Sequence, residues 1–408
     1  MNKKSSVWLI GAILIGQAIA SIVESRIASV VILSAFPLLA LATVKSTVSL
    51  RVRCFVVILV VFCCLFLQGL LGPLTHPLIH PLFGSTSYYR IATGSTNTEI
   101  ISKFVRSFGY YRIANYSPFS FPLLTRLFLG DNLKVGSWSI LFFNVTIWSV
   151  SSTVWTNYLC ISKADSIYNS KAFSNILFCI LLLSPSAVYN ISVWRKEIAV
   201  VSLIILSAVF FSRGKYFSGI ILAMLASLMR LYSVPIIASL YVFLNYDARK
   251  SLKTSISVLV LLSLSPIGRK IAVNTVVVLL YLFVSPSPLD SGNWVMFKGD
   301  HKEWVNPTLI LTLEGAFFAL VLVLSVPLTL LKGGDRYLSY IPGLVIVGIT
   351  LSCLGVWNVG IRQYDFVELG AHLVRKKFVA FPLLATMAST VSVDILRRVM
   401  SSGVRRYV

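Results

Sequence analysis

Two short stretches carry side chains suited to general acid–base work. GNWVMFKGDHKEW (292–304) holds Asp300 and Glu303 between two tryptophans, and IRQYDFVELGAHLVRKK (361–377) holds Asp365, Glu368 and His372. A carboxylate or imidazole within hydrogen-bond reach of a hydroxyl can take its proton. Asp365, Glu368 and His372 also share one face if 365–372 is helical, through i+3 and i+4 spacings. Either stretch is equally readable as a solvated loop. A second set is cationic: Arg195 and Lys196 in NISVWRKEIAVVSLIIL (190–206), with Arg230, Arg362, Arg90, Arg106 and Arg112. Guanidinium groups stay charged and grip phosphate oxygens with a planar fork. The plainer alternative for each is a side chain that snorkels to lipid headgroups. A base and a cationic cavity together are what transfer from a diphosphate donor needs: one takes the acceptor's proton, the other stabilises the departing anion. Glu197 follows the Arg195–Lys196 pair and suits both the first turn of a helix and the task of holding Arg195. Glu314 lies inside an apolar run, where an acid marks a cavity or a buried partner.

Metal and cofactor chemistry find little support. His76 and His80 in HPLIHP are spaced i, i+4, but the prolines disfavour the helix that would align them, so a kinked loop is expected and no metal. The six cysteines fall in apolar segments with neither metal-ligand nor disulfide spacing, and read as buried, inert thiols. No nucleic-acid motif is present, and no cofactor is expected.

The elements that must position these residues are membrane helices. The chain has 408 residues, 57% hydrophobic and 12% charged, against about 25% charged in ordinary soluble proteins. Apolar runs of span length recur from end to end and leave no room for a separate soluble domain. The expectation is an all-α, polytopic transmembrane protein whose residues 1–408 form one integral membrane domain. The start, MNKKSSVWLIGAILIGQAIA, reads as a retained first helix rather than a cleaved signal.

Spans are expected to begin near residues 7, 27, 54, 137, 173, 197, 216, 232, 254, 271, 307, 340 and 378. The positive-inside rule puts Lys3, Lys4, Lys45, Arg51 and Arg53 inside, then Lys163 and Lys171, Arg213 and Lys215, and Arg249, Lys250 and Lys253. A full count would leave the basic tail RRVMSSGVRRYV outside. The weak place is 252–285, where SPIGRK separates two short apolar runs; one crossing plus a re-entrant or interfacial piece resolves the conflict. About twelve crossings (11–13) result, with both termini inside and outer loops at 73–135, 286–306 and 359–377.

The 73–135 loop is long, and loops beyond about 15 residues are functional or disordered. This one is too rich in Tyr, Phe and Ile for disorder, so short interfacial helices are expected in it. It also carries Arg90, Lys103, Arg106, Arg112, Arg126 and Lys134 against Glu99 and Asp131. Cations on the outer face run against the usual bias, and an anionic ligand is a natural reason for them. YYRIA occurs twice, at Tyr88–Ala92 and Tyr110–Ala114; this is either a pair of aromatic–Arg elements lining a groove or a chance match in a Tyr-rich loop. The net charge of +22 otherwise fits loops that meet anionic lipid.

The arrangement SPSAVYNISVWRKEIAVV…GKYFSGIILAMLASLMRLYSVP, with the later GVWNVGIRQYDF…RKKFVAFPLL, resembles bacterial O-antigen or capsule repeat-unit polymerases of the Wzy type. These are similar in architecture to membrane glycosyltransferases of the GT-C class. The resemblance implies a multi-pass enzyme of the bacterial inner membrane, acting on undecaprenyl-diphosphate-linked glycan without nucleotide or metal. It further implies a flippase and a chain-length regulator as companions. Two other functions share the same parts: a flippase for the lipid-linked oligosaccharide, and a GT-C transferase that adds one sugar from a polyprenyl-phosphate donor. A structural subunit is a third, non-catalytic reading.

Overall fold

The computed structural model describes residues 46–67, 137–163, 165–193, 196–230, 232–295, 298–301, 304–306, 308–331, 335–359 and 366–404, with isolated positions between 37 and 44 and at 98–99, 101–102 and 121–122. Thirteen α-helices lie among these residues. They are α1 (Leu50–Leu67), α2 (Ser137–Ser162), α3 (Lys171–Leu183), α4 (Pro185–Ser192), α5 (Lys196–Ser212), α6 (Tyr216–Met229) and α7 (Ser233–Asn245). After them come α8 (Ala248–Ser263), α9 (Pro266–Val284), α10 (Thr308–Thr329), α11 (Asp335–Leu338), α12 (Tyr340–Val359) and α13 (Phe366–Val404). The starts of α2, α3, α5, α6, α7, α10 and α12 fall within two residues of the expected ones.

Among the described residues, five stretches are long and apolar enough to cross a membrane: α1, α9, α10, Arg336–Cys353 and Lys377–Met400. α3 and α4 together make a sixth, and α6 and α7 are shorter apolar helices. The protein is a multi-pass helical membrane protein. On α1 the outward stripe is Phe55, Ile58, Phe62 and Phe66, all exposed, while Val56, Val57, Val60, Val61 and Cys64 face inward. In water such a stripe would be costly; against lipid it is the expected outer face.

The interior is built around α13, whose residues from Lys377 to Thr390 are buried throughout. Trp148 of α2 packs 5.0 Å from the Phe378 ring, and its indole N–H donates to Leu181 O at 2.7 Å. Trp155 donates to Thr386 Oγ1 at 3.0 Å. Ser149, Ser151, Ser152, Thr153 and Thr156 of α2 are all buried. Small side chains let backbones approach where lipid gives no hydrophobic drive, and Ser151 Oγ accordingly meets Ser202 Oγ of α5 at 3.2 Å.

Two departures from the sequence reading have clear causes. The span expected from residue 173 is broken into α3 and α4, bent by 46°. Pro185 has no N–H to continue the α3 ladder, and Ser184 before it is extended. The Ser184 N–H closes α3 on Ile180 O, while its hydroxyl accepts from Ala187 N and caps α4. The described fold is all-α as expected, with one short hairpin the sequence did not announce, β1 (Lys298–His301) with β2 (Trp304–Asn306). Gly299 and the polar residues around it lack the apolar periodicity a helix would need.

At 252–285 the structure has a helical hairpin turned at Ser265, whose hydroxyl accepts from Gly268 N. Of its two helices α9 has span length and apolarity, and α8 does not qualify. Asp247 caps α8 by accepting from Arg249 N and Lys250 N. The Lys250 N–H foremost holds that carboxyl below the ordinary carboxylate range. Within the 73–135 loop, residues 98–99, 101–102 and 121–122 are helical, and Phe121 is fully buried in the core. The cysteines are free; Cys64 and Cys160 are buried, but Cys353 is exposed on α12 rather than buried as the sequence suggested.

Candidate functional site

α5 runs 17 residues, about 25 Å at 1.5 Å per residue, between two unlike polar clusters. At its C-terminal end Ser212 accepts from Asn245 Nδ2 at 2.7 Å and its carbonyl from Tyr158 OH at 3.3 Å. Nearby, Lys163 Nζ donates to Phe243 O at 2.6 Å and lies 4.7 Å from that ring's centroid. Burial pushes the Lys163 ammonium down to about 8. The carboxylates that follow in the same layer are committed to structural pairs. Asp165 meets Arg336 at 3.5 Å, and Asp394 takes the Tyr337 hydroxyl at 2.7 Å and Arg398 at 3.2 Å. Tyr340 links Tyr168 and Thr390 through its hydroxyl. This layer fastens helices together and leaves no acid for chemistry among the described side chains.

The N-terminal end of α5 is different. Glu197 Oε1 accepts from Arg230 at 2.7 Å, with side-chain exposure of 10% for the acid and 34% for the cation. Arg230 ends α6 as its C-cap and faces the Tyr232 ring, 5.8 Å from its centroid. Lys196 is 2% exposed, within electrostatic reach of both. Two basic side chains and one carboxylate meet here, and the arginine keeps access to solvent.

α4 joins this group to a second one. Asn144 Nδ2 donates to Ile191 O at 3.0 Å and to Val193 O at 3.2 Å, closing the C-terminal end of α4 just before Lys196. At the other end Glu314 of α10 accepts from Ser186 N at 2.8 Å and from the Ser186 hydroxyl. An anion therefore faces the positive end of α4 and cations follow its negative end, the favourable arrangement for a helix dipole. Beside Glu314, Lys377 Nζ donates to Ser285 O at 3.1 Å and sits 4.7 Å from the Phe318 ring centroid. The buried partner that Glu314 announced in the sequence is thus Ser186, with Lys377 close by.

No protein-family model, curated protein or solved structure matches the chain. The functional reading rests on the residues themselves.

Of the residues singled out from sequence, Lys196 and Arg230 are brought together. Glu197 binds Arg230; the Arg195 expected beside it lies outside the described residues. Asp300 lies on β1, at the bulge between Gly299 and His301. Glu368 and His372 lie four residues apart on α13, hence on one helical face. Arg90, Arg106, Arg112, Arg195, Glu303, Arg362 and Asp365 lie outside the described residues. Lys377 and Ser285 were missed. Lys377 closes a run of three cations and opens the last apolar span, a position that reads as an ordinary interfacial flank. Ser285 has no signal beyond the proline that follows it.

Proposed function

We propose that the chain polymerises undecaprenyl-diphosphate-linked oligosaccharide repeat units at the outer face of the bacterial inner membrane. The supporting observation is the Lys196–Glu197–Arg230 group: two basic side chains and one acid gathered from α5 and the end of α6, with a partly exposed arginine. Such a group suits a diphosphate, since the guanidinium offers paired donors to phosphate oxygens. The basic residues of the opposite layer, Lys163, Arg336, Arg397 and Arg398, agree with a cytoplasmic side there. On this topology there are about twelve crossings, with the 73–135, 286–306 and 359–377 loops outside.

In the proposed reaction the bond between the growing glycan's anomeric carbon and its diphosphate breaks, and the electron pair leaves with the diphosphate. The acceptor hydroxyl bonds to that carbon and gives its proton to a base. Asp300, Glu303, Asp365, Glu368 and His372 are the candidate bases, and Arg230, with Lys196 and Arg195, steadies the leaving anion. Arg90, Arg106, Arg112 and Arg362 are proposed as further contacts of the lipid-linked donor.

A second reading, a flippase for the same lipid-linked glycan, is favoured by one observation. The α3–α4 break with a charged residue at the half-helix terminus is a device that transporters use at substrate sites. A strain lacking the chain separates the two. Loss of a polymerase leaves surface glycan one repeat unit long, whereas loss of a flippase removes surface glycan altogether. Complete absence of surface glycan in that strain would sink the polymerase reading.

A further inference from the structure

Three polar functions at one enclosed spot are incompletely satisfied. Glu314 Oε1 and Ser285 Oγ have no hydrogen-bond partner among the described residues. The Lys377 ammonium has three N–H donors and donates to Ser285 O. All three residues are buried, at 5%, 0% and 1% exposure respectively. They come from neighbouring backbones: an added Cβ on Gly315 would lie 3.2 Å from the same Ser285 O that Lys377 holds. Lys377 feels the charge of Glu314, yet the two are joined by no direct ion pair. Within a membrane protein's interior, bulk water is not at hand to satisfy such groups.

The charges of Glu314 and Lys377 restrict what can bond to both. A carboxylate repels an anion, and an ammonium repels a cation. A hydroxyl oxygen does both required things at once, donating to Glu314 Oε1 and accepting from Lys377 Nζ. The contrast is with the Lys196–Glu197–Arg230 group, where a guanidinium and a second basic side chain offer donors to an anion. The two groups flank α4, eight residues long and so about 12 Å from end to end.

We propose that Glu314 and Lys377 hold a neutral hydroxyl between them, and that this is the subsite for the sugar end of the lipid-linked glycan. Water takes the same seat when glycan is absent. The assignment of a sugar rests on the polymerase reading; the selection of a neutral hydroxyl rests on the charges alone. It gives the protein two chemically distinct contacts for one ligand, a diphosphate contact at one end of α4 and a hydroxyl contact at the other.

The test is a pair of cryo-EM reconstructions of the full chain in lipid nanodiscs, one without ligand and one with lipid-linked repeat unit isolated from a strain lacking this chain. The expected result is a water peak within hydrogen-bond distance of Glu314 and Lys377 in the first, replaced by sugar density in the second. Retention of the lipid-linked unit on the same nanodiscs should fall about tenfold for Glu314→Gln, which keeps the shape but offers the hydroxyl a poorer acceptor. A dry gap, a direct Glu314–Lys377 ion pair, or a water that stays in place when glycan is bound elsewhere overturns the proposal. Sugar density at Glu314 in a chain that never elongates glycan keeps this subsite and removes the polymerase reading, so the two failures are distinguishable.

Discussion

Glu197 and Arg230 stand 33 residues apart in sequence and 2.7 Å apart in space, joining the first turn of α5 to the C-cap of α6. The pair fixes a guanidinium that is still one-third exposed. Arg230→Lys keeps the charge and loses the fork. Glycan elongation should drop roughly 10–100-fold, the equivalent of a charge-assisted hydrogen bond of about 1.5–3 kcal/mol. The measure is polymer length distribution at equal membrane abundance. A headgroup anchor would tolerate the change, so undiminished elongation contradicts a diphosphate clamp.

The approach of α10 to the chain after α9 is set by Gly315. An added Cβ would lie 2.7 Å from Pro286 O and 3.1 Å from Val284 O, both backbone atoms that have no rotamer to escape into. Gly315→Ala should cost about 1–3 kcal/mol, seen as a lower apparent melting temperature in detergent. Because Glu314 is the adjacent residue, the same variant should also weaken glycan elongation.

Much of this arrangement was legible in the sequence. Spans follow from runs of apolar residues, and a run announces its own start, which is why α6 and α12 begin where expected. The Arg195–Glu197 cluster and Arg230 were flagged because charges beside apolar runs need a reason. Partner choice was not legible: Glu197 meets Arg230, 33 residues away, because the α5–α6 turn folds α6 back alongside α5. The α3–α4 break was visible as SPS, but a proline in a membrane helix is compatible with a kink or a break. Lys377 escaped notice because a lysine before an apolar span looks like an anchor, and its burial depends on helices far away in sequence.

Lys163 supplies a pH signature. Its folded value of about 8 lies below the ordinary 10.5 because burial disfavours the charged form. Between those values the unfolded chain binds more protons than the folded one, so stability rises with pH through that window and is lowest below about pH 8. Lys163→Met removes the titration. The difference in apparent melting temperature, parent minus variant, should grow more positive from pH 7.5 to pH 10; a flat difference contradicts the burial of an ionisable Lys163.

The proposed topology has a direct check. A cysteine introduced at Ser95 should react with a membrane-impermeant maleimide added to intact spheroplasts, above the background of the six native cysteines. One introduced at Ser402 should react only after the membrane is opened. The reverse pattern would move the Lys196–Glu197–Arg230 group to the cytoplasmic side and remove the outer-face reaction.

The most direct measurement reconstitutes the purified chain in nanodiscs and adds only lipid-linked repeat unit, without nucleotide, metal or other protein. The account predicts a ladder of products, each longer by one repeat unit, with free undecaprenyl diphosphate released in step, and with Arg230→Lys strongly impaired. Repeat units that stay single while the same preparation moves them from one leaflet to the other would contradict polymerisation and favour the flippase.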